Sequence, residues 1–285
     1  MKVIVAKVSG FCGGVERTLN LMRSAIGRCS GQVYADGEIV HNGQVMKGLR
    51  ADGVKMFRDC DSGHISADDC IVTRAHGISG DRCAQLQGCF KTIIDGTCPH
   101  LARMLDLVKK ASGAGRNVLI IGDRGHPEVL ALLAAAEEAK CFTVNSQEQM
   151  ESLPNHLGKV LVVAQSTIDM KFFTAMANAI AAKYPDGEIR NTICESSRAR
   201  QKAVLDLAEE GVQAIIVIGG KHSNNTAVLA KIARGTGLPV FRIEAAEELP
   251  MEELGSFTAI GIVSGASTSE EMVREVAQKL SRKKY

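Results

Sequence analysis

Three cysteines in this chain each stand immediately before a helical pattern, and each is followed at a nearly constant distance by a histidine in a turn. Cys12 opens FCGGVERTLNL, Cys98 opens TCPHLARMLDL and Cys194 opens ICESSRARQKAVLDL, at spacings of 86 and 96 residues. The turns EIVHNGQV, GDRGHPEV and GGKHSNNT carry His41, His126 and His222, at offsets of 29, 28 and 28 from those cysteines. After each histidine comes another helical stretch and then a strand ending in small polar groups. These ends are TRAHGIS around His76, AQSTI around Ser166 and Thr167, and SGAST around Ser264 and Ser267. One supersecondary unit of about 90 residues, used three times, accounts for all of these landmarks.

Within each unit, short β-branched runs alternate with stretches of 3.6-residue periodicity, the mark of βαβ units and a parallel sheet. Strands are expected at Lys2 to Val8, Gln32 to Tyr34, Ile71 to Thr73, Thr92 to Ile94, Val118 to Gly122, Val160 to Ala164, Ala214 to Gly219, Pro239 to Ile243 and Ala259 to Val263. Helices are expected at Gly14 to Ile26, Val45 to Arg50, Leu101 to Ser112, Val129 to Ala136, Met170 to Tyr184, Arg198 to Glu210, Ala227 to Arg234 and Glu270 to Arg282. The continuous apolar character of the strands predicts cover on both faces of each sheet. The fold class is therefore α/β, with three similar α/β domains in a pseudo-threefold trefoil. The expected lobes are residues 1–97, which include the N-terminal strand and Cys12, then 98–193 and 194–285. Strand C-terminal ends, where such sheets place ligands, would face a shared centre.

Composition excludes several functions. The 34 Lys plus Arg nearly balance 32 Asp plus Glu, no block of five like charges occurs, and there is no Trp. Nucleic-acid binding as the main task is not expected. Apolar runs are far shorter than the ~18 residues that span a bilayer, so no membrane association is expected. The start MKVIVAKVSG lacks the apolar core of a secretory signal, which predicts a cytoplasmic, reducing setting. Nine cysteines are then too many and too odd a number for a disulfide framework.

If the units are related by a threefold axis, Cys12, Cys98 and Cys194 occupy equivalent positions and can converge. A structural zinc site normally closes with four ligands, commonly from Cys-x-x-Cys pairs, and none of the cysteines forms such a pair. An iron–sulfur cluster held by three cysteines would leave one iron without a protein ligand, open to a substrate. Cys29, Cys60, Cys70, Cys83, Cys89 and Cys141 have no counterparts in the other units and read as small hydrophobes. The histidines and hydroxyls at the strand ends would form a polar cup suited to phosphate or diphosphate, since each donates a hydrogen bond and helix N-termini add positive charge. Glu128, on the first turn of a helix, fits equally an acid that complements the helix dipole. The glycines Gly10, Gly13 and Gly14, and Gly219 and Gly220 before Lys221, match neither dinucleotide nor Walker spacing.

The motifs GFCGGV, EIVHN, AHG, TCP, GHPE, KHSNN and SGAS, in this order and spacing across nearly the whole chain, resemble the 4-hydroxy-3-methylbut-2-enyl diphosphate reductase family, which closes the methylerythritol phosphate route to isoprenoids. The resemblance implies three α/β domains around a [4Fe-4S] cluster with one iron lacking a protein ligand. It implies two-electron reductive dehydration of an allylic alcohol diphosphate to isopentenyl and dimethylallyl diphosphate. On the family pattern Cys12, Cys98 and Cys194 are the cluster ligands, and His41, His76, His126, Ser223, Asn224, Asn225 and Ser267 lie at the diphosphate. Glu128 matches the acid that relays a proton, served by the neighbouring hydroxyls of Ser166 and Thr167 and by His126. A flavodoxin or ferredoxin is the implied electron donor. Two positions depart from the pattern. Ser166 replaces the first member of a Thr-Thr pair, keeping the hydroxyl but losing the methyl that restricts its rotamer. Asn224 replaces a serine, exchanging a hydroxyl donor for an amide. The same cysteines and histidines would also suit a zinc-dependent hydrolase of a phosphorylated metabolite or a non-catalytic iron–sulfur sensor.

Overall fold

The first repeat, in the computed structural model, runs β1 (Lys2–Val5), α1 (Gly13–Arg28), β2 (Val33–Ala35), α2 (Gly43–Ala51), β3 (Lys55–Met56), β4 (Cys70–Val72), α3 (Gly80–Cys89) and β5 (Thr92–Ile94). The second runs α4 (Pro99–Gly113), β6 (Asn117–Ile121), α5 (Pro127–Ala135), β7 (Cys141–Val144), α6 (Gln147–Glu151), β8 (Val160–Ala164), α7 (Met170–Lys183) and β9 (Glu188–Ile189). The third runs α8 (Glu195–Glu209), β10 (Ala214–Ile218), α9 (Asn224–Arg234), β11 (Val240–Ile243), α10 (Met251–Leu254), β12 (Ala259–Ser264) and α11 (Glu270–Ser281). The structure describes residues 1–57, 65–136 and 140–281, so Cys60 and the expected helix end at Arg282 lie outside the described residues.

The strands form three four-stranded sheets, ordered β3-β2-β4-β5, β7-β6-β8-β9 and β11-β10-β12-β1. Every pairing is parallel. The mixed α/β class with three parallel sheets is thus the one the repeat predicts. In each sheet the strand order reverses between two central strands, β2 and β4, β6 and β8, or β10 and β12. Loops leaving the two central strands diverge there and leave the crevice in which such sheets bind ligands.

One strand sits elsewhere than expected. β1 belongs not with the strands of the first repeat but beside β12, from Lys2 opposite Ala259 to Val5 opposite Ile262. The third repeat has no strand after α11 among the described residues. The free edge of β12 is therefore closed by the start of the chain, in the place that β5 and β9 fill in their own sheets.

The residues group into two compact units. One comprises Met1–Glu16, Val40–Gly48 and the chain from Cys194 onward, and holds the sheet of β11, β10, β12 and β1. Its core sets Ile216, Ile218, Ile260 and Ile262 against Val273, Val276 and Leu280 of α11 on one face, and Ile215, Val217 and Val263 against Val204, Leu207 and Leu229 on the other. The other unit comprises Arg17–Ile39 and Leu49–Ile193 and holds the remaining two sheets. There Val118 to Ile121 and the whole of β8 are inaccessible to solvent, covered by α4 and α5 on one side and by α7 on the other. The small sheet of β2 and β4 packs Tyr34, Phe57 and Phe90 edge to face, with ring centroids 4.9 to 6.2 Å apart.

Candidate active site

Each of the three cysteines starts a helix in the same way. The carbonyls of Cys12, Cys98 and Cys194 accept from the amides of Glu16, Ala102 and Arg198, at 2.9, 2.9 and 3.0 Å. Each therefore stands at the N-cap, where the next amides have no partner inside the helix and point towards whatever occupies the cap. The Ser197 amide donates to Cys194 Sγ at 3.3 Å and the Val15 amide to Cys12 Sγ at 3.5 Å. The Cys98 side chain makes no capping bond, and Pro99 follows it at the first helical position, where no amide hydrogen is required. The eight described cysteines are all free thiols.

The unit containing Cys98 carries the proton chemistry. Glu128 is buried, only 3% exposed, and sits on the first turn of α5 behind His126, whose Nδ1 accepts from the Glu128 amide at 3.2 Å. That fixes the His126 ring as the cap of α5, with its proton on Nε2. Across the crevice between β6 and β8, Ser166 holds both carboxylate oxygens of Glu128. Its amide donates to Oε1 at 2.5 Å and its hydroxyl to Oε2 at 2.6 Å. Burial pushes the carboxyl above its ordinary range, against the two Ser166 bonds that pull it down. A carboxyl whose pKa is raised by burial keeps its proton to higher pH than an exposed one, which suits it to donating that proton to a substrate. The first-turn position is thus occupied by a residue whose carboxylate is turned inward onto a hydroxyl. His76 packs its ring edge to face with His126, centroids 5.7 Å apart.

Thr167 is held by a residue that none of the repeat landmarks marks. The buried Gln165 donates from Nε2 to Thr167 Oγ1 at 3.2 Å and accepts the Asp123 amide on Oε1 at 3.0 Å. It thereby ties together the two loops at the β6–β8 crevice. At the equivalent crevice of the small sheet, Asp36 after β2 accepts from Arg82 Nε and Nη2 at 3.0 and 2.9 Å, and Arg74 lies 3.8 Å from its other oxygen.

The unit containing Cys12 and Cys194 gathers the other polar groups at the β10–β12 crevice. Ser223 caps α9 by accepting the Thr226 amide at 3.3 Å. Asn225 donates to Ser197 Oγ at 3.2 Å and accepts the Ala266 amide at 3.0 Å, so its amide group links α9, α8 and the loop after β12. Ser267 donates to the His41 carbonyl at 3.3 Å, while its own carbonyl accepts from Asn42 Nδ2 at 2.9 Å. Gly220 passes so close to this segment that a Cβ there would lie 2.1 Å from the His41 carbonyl oxygen. Asn224 opens α9 directly after Ser223. Ser223, Asn225 and Ser267 are thus buried and partly committed to holding the loops, a duty that the spacing does not reveal. Arg200, also unforeseen, is 2% exposed and donates to the carbonyls of Val8 and Gly10 at 3.2 and 2.7 Å.

Cys70 and Cys141 are buried in strands, as a small hydrophobe should be, while Cys29, Cys83 and Cys89 are partly exposed. No helix among the described residues is long and apolar enough to cross a membrane.

A family model described as LytB protein matches residues 3–281. A protein of Opitutus terrae named 4-hydroxy-3-methylbut-2-enyl diphosphate reductase is 37% identical, over 98% of this chain and 99% of its own length. One of the same name from a Thermoanaerobacter species is 34% identical over 98% and 96%. A solved structure of (E)-4-hydroxy-3-methyl-but-2-enyl diphosphate reductase, described as the terminal enzyme of the non-mevalonate pathway, superposes with a TM-score of 0.71 at 31% identity, covering 99% of each chain. The corresponding reductase from Plasmodium falciparum shares the fold, with a TM-score of 0.91 at 23% identity, over 99% of this chain and 88% of that one.

Proposed function

The chain belongs to the LytB protein family, and from that premise we propose that it is a reductase of 4-hydroxy-3-methylbut-2-enyl diphosphate. Two electrons and two protons enter, the allylic hydroxyl leaves as water, and isopentenyl and dimethylallyl diphosphate are formed. The observation that carries this reading is the buried pair of Glu128 and Ser166, a protonatable acid gripped by a hydroxyl at the β6–β8 crevice.

The residues fit an iron–sulfur cluster. Cys12, Cys98 and Cys194 offer sulfur at three helix starts, none is tied up in a disulfide, and the buried Arg200 brings positive charge to the two in its unit. When bound, a [4Fe-4S] cluster held by these three would supply the electrons and one iron open to the substrate. Glu128 delivers the proton that lets the hydroxyl leave as water, and Ser166 and Thr167 keep that proton path in place. His41, His76, His126, Ser223, Asn224, Asn225 and Ser267 bind the diphosphate as hydrogen-bond donors, aided by the N-termini of α5 and α9. In this reading the three lobes, divided near residues 97 and 193, each contribute one cysteine and one crevice. A flavodoxin or ferredoxin delivers the electrons singly, in a reducing, cytoplasmic setting that free thiols suit.

Anaerobic reconstitution with iron and sulfide, followed by turnover with a reduced low-potential donor, tests the proposal. Loaded protein should consume the diphosphate and release both products. A loaded protein that leaves the substrate untouched, or a native metal content of zinc without sulfide, overturns it.

A further inference from the structure

Arg200 is a buried cation without an ion-pair partner. The residue is 2% exposed, no carboxylate among the described residues pairs with it, and among them its Nε has no hydrogen-bond partner. A charge in such a place is strongly disfavoured unless an opposite charge compensates it. The groups selected to carry an opposite charge are Cys12, two residues after Gly10, and Cys194, at the start of its own helix.

Its position explains this selection. Arg200 lies on the helix that Cys194 starts, two turns in, on the face that also carries Ser197, Val204 and Leu207. From there Nη1 and Nη2 reach the carbonyls of Val8 and Gly10, in the turn that leads to Cys12. Gly10 has a φ of +77°, a conformation that an L side chain rarely adopts, so this turn is held in a specific shape. One side chain thus ties the backbone before Cys12 to the helix after Cys194.

We propose that Arg200 is a positioning residue that provides the counter-charge for the sulfur-held group at Cys12 and Cys194, while setting the distance between the two. The inference rests on the iron–sulfur reading above. An electron-accepting group next to a fixed positive charge is easier to reduce, because net charge and hydrogen bonding set cluster potentials.

The test compares wild type, Arg200→Gln and Arg200→Lys, all reconstituted anaerobically, by iron and acid-labile sulfide per chain and by the cluster midpoint potential in a spectroelectrochemical titration. Arg200→Gln should hold less cluster, and the fraction it holds should titrate at a more negative potential. Arg200→Lys keeps the charge but cannot span both carbonyls, so its potential should stay near that of wild type while its cluster is lost faster. If Arg200→Gln does not fold, as judged by circular dichroism, Arg200→Lys against wild type decides alone. A shifted potential in Arg200→Lys, or an unshifted one in loaded Arg200→Gln, overturns the counter-charge role. Wild type that takes up no iron and sulfide would instead defeat the cluster reading, leaving the two failures distinct.

Discussion

Ser166 holds both oxygens of the Glu128 carboxylate, one through its amide and one through its hydroxyl. A serine suffices for both contacts where the resemblance leads one to expect a threonine. The bond to Oε2 needs only the hydroxyl, and the bond to Oε1 comes from the backbone whatever the side chain. Ser166→Thr should therefore keep turnover close to that of wild type. Glu128→Gln should lose about 10²- to 10⁴-fold in kcat, the usual worth of a positioned general acid. Iron and sulfide content measured on the same samples must stay unchanged for the loss to be assigned to the proton.

The raised pKa of Glu128 has a sign that can be followed in stability. Burial lifts the carboxyl, with Ser166 pulling the other way. A carboxyl that titrates higher in the folded chain than its unfolded value of about 4.3 contributes stability in full below that value, and the contribution is lost as pH rises through the folded pKa. Gln cannot ionise. The Tm of wild type relative to Glu128→Gln should therefore fall as pH is raised above about 4.3, until the folded carboxyl has ionised. A Tm difference that is flat over that range would contradict the burial effect.

Asp36 is fully buried, and Arg82 supplies two of its hydrogen bonds while lying 5.4 Å from the Phe57 ring centroid. Removing Arg82 leaves the carboxylate with only the more distant Arg74, 3.8 Å away. Arg82→Ala should cost about 3–5 kcal/mol in urea unfolding, whereas replacing both partners with apolar residues of similar volume should recover much of that loss. Equal costs for the single and double replacements would show that Asp36 does not depend on Arg82.

Burial, and after it contact with Cys29 and the charge of Asp69, pushes the Cys70 thiol up to about 12. Burial pushes Cys141 up to about 11, with Arg124 opposing. Only thiolates alkylate readily. In native protein pulsed with iodoacetamide near neutral pH, peptide mapping should find Cys70 and Cys141 unlabelled when the partly exposed Cys83 and Cys89 have reacted. All should label in denaturant. Early modification of Cys70 would mean that β4 opens far more readily than its packing indicates.

Gly220 has no room for a side chain, since a Cβ would press on the carbonyl that Ser267 bonds. Gly220→Ala should destabilise the protein by about 1–3 kcal/mol, the range for overpacking. It should also weaken protection of the protein by inorganic diphosphate in thermal unfolding. An unchanged diphosphate effect would remove the His41–Ser267 contact from the anion site.

The central strands were legible because they are buried on both faces and read as unbroken apolar runs, as in Val160 to Ala164 and Ala214 to Ile218. The strands that escaped notice, Lys55–Met56, Cys141–Val144 and Glu188–Ile189, all lie at sheet edges, where a strand can be short and partly polar. Five helices begin two or three residues before the expected starts at Val45, Leu101, Val129, Arg198 and Ala227. Their first turns hold proline or polar residues, while the apolar period starts one turn later. The recurring motifs led to Glu128 and to the cysteines. The partners Gln165 and Ser197 were not legible, because a hydrogen bond across a crevice leaves no period in a sequence. Arg200 did leave a trace: it falls on the apolar stripe with Ser197, Val204 and Leu207, where a cation is out of place without a reason.

The pairing of β1 with β12 sets an order of events during synthesis. Lys2 has Ala259 as its partner, so β1 waits for β12, which comes much later in the chain. Until then β1 is an unpaired edge, open to wrong partners, and such long-range closure is slow. The turn that carries Cys12 follows β1 directly, so the first of the three cysteines acquires its final setting only after β12, which lies beyond the other two cysteines, has been made.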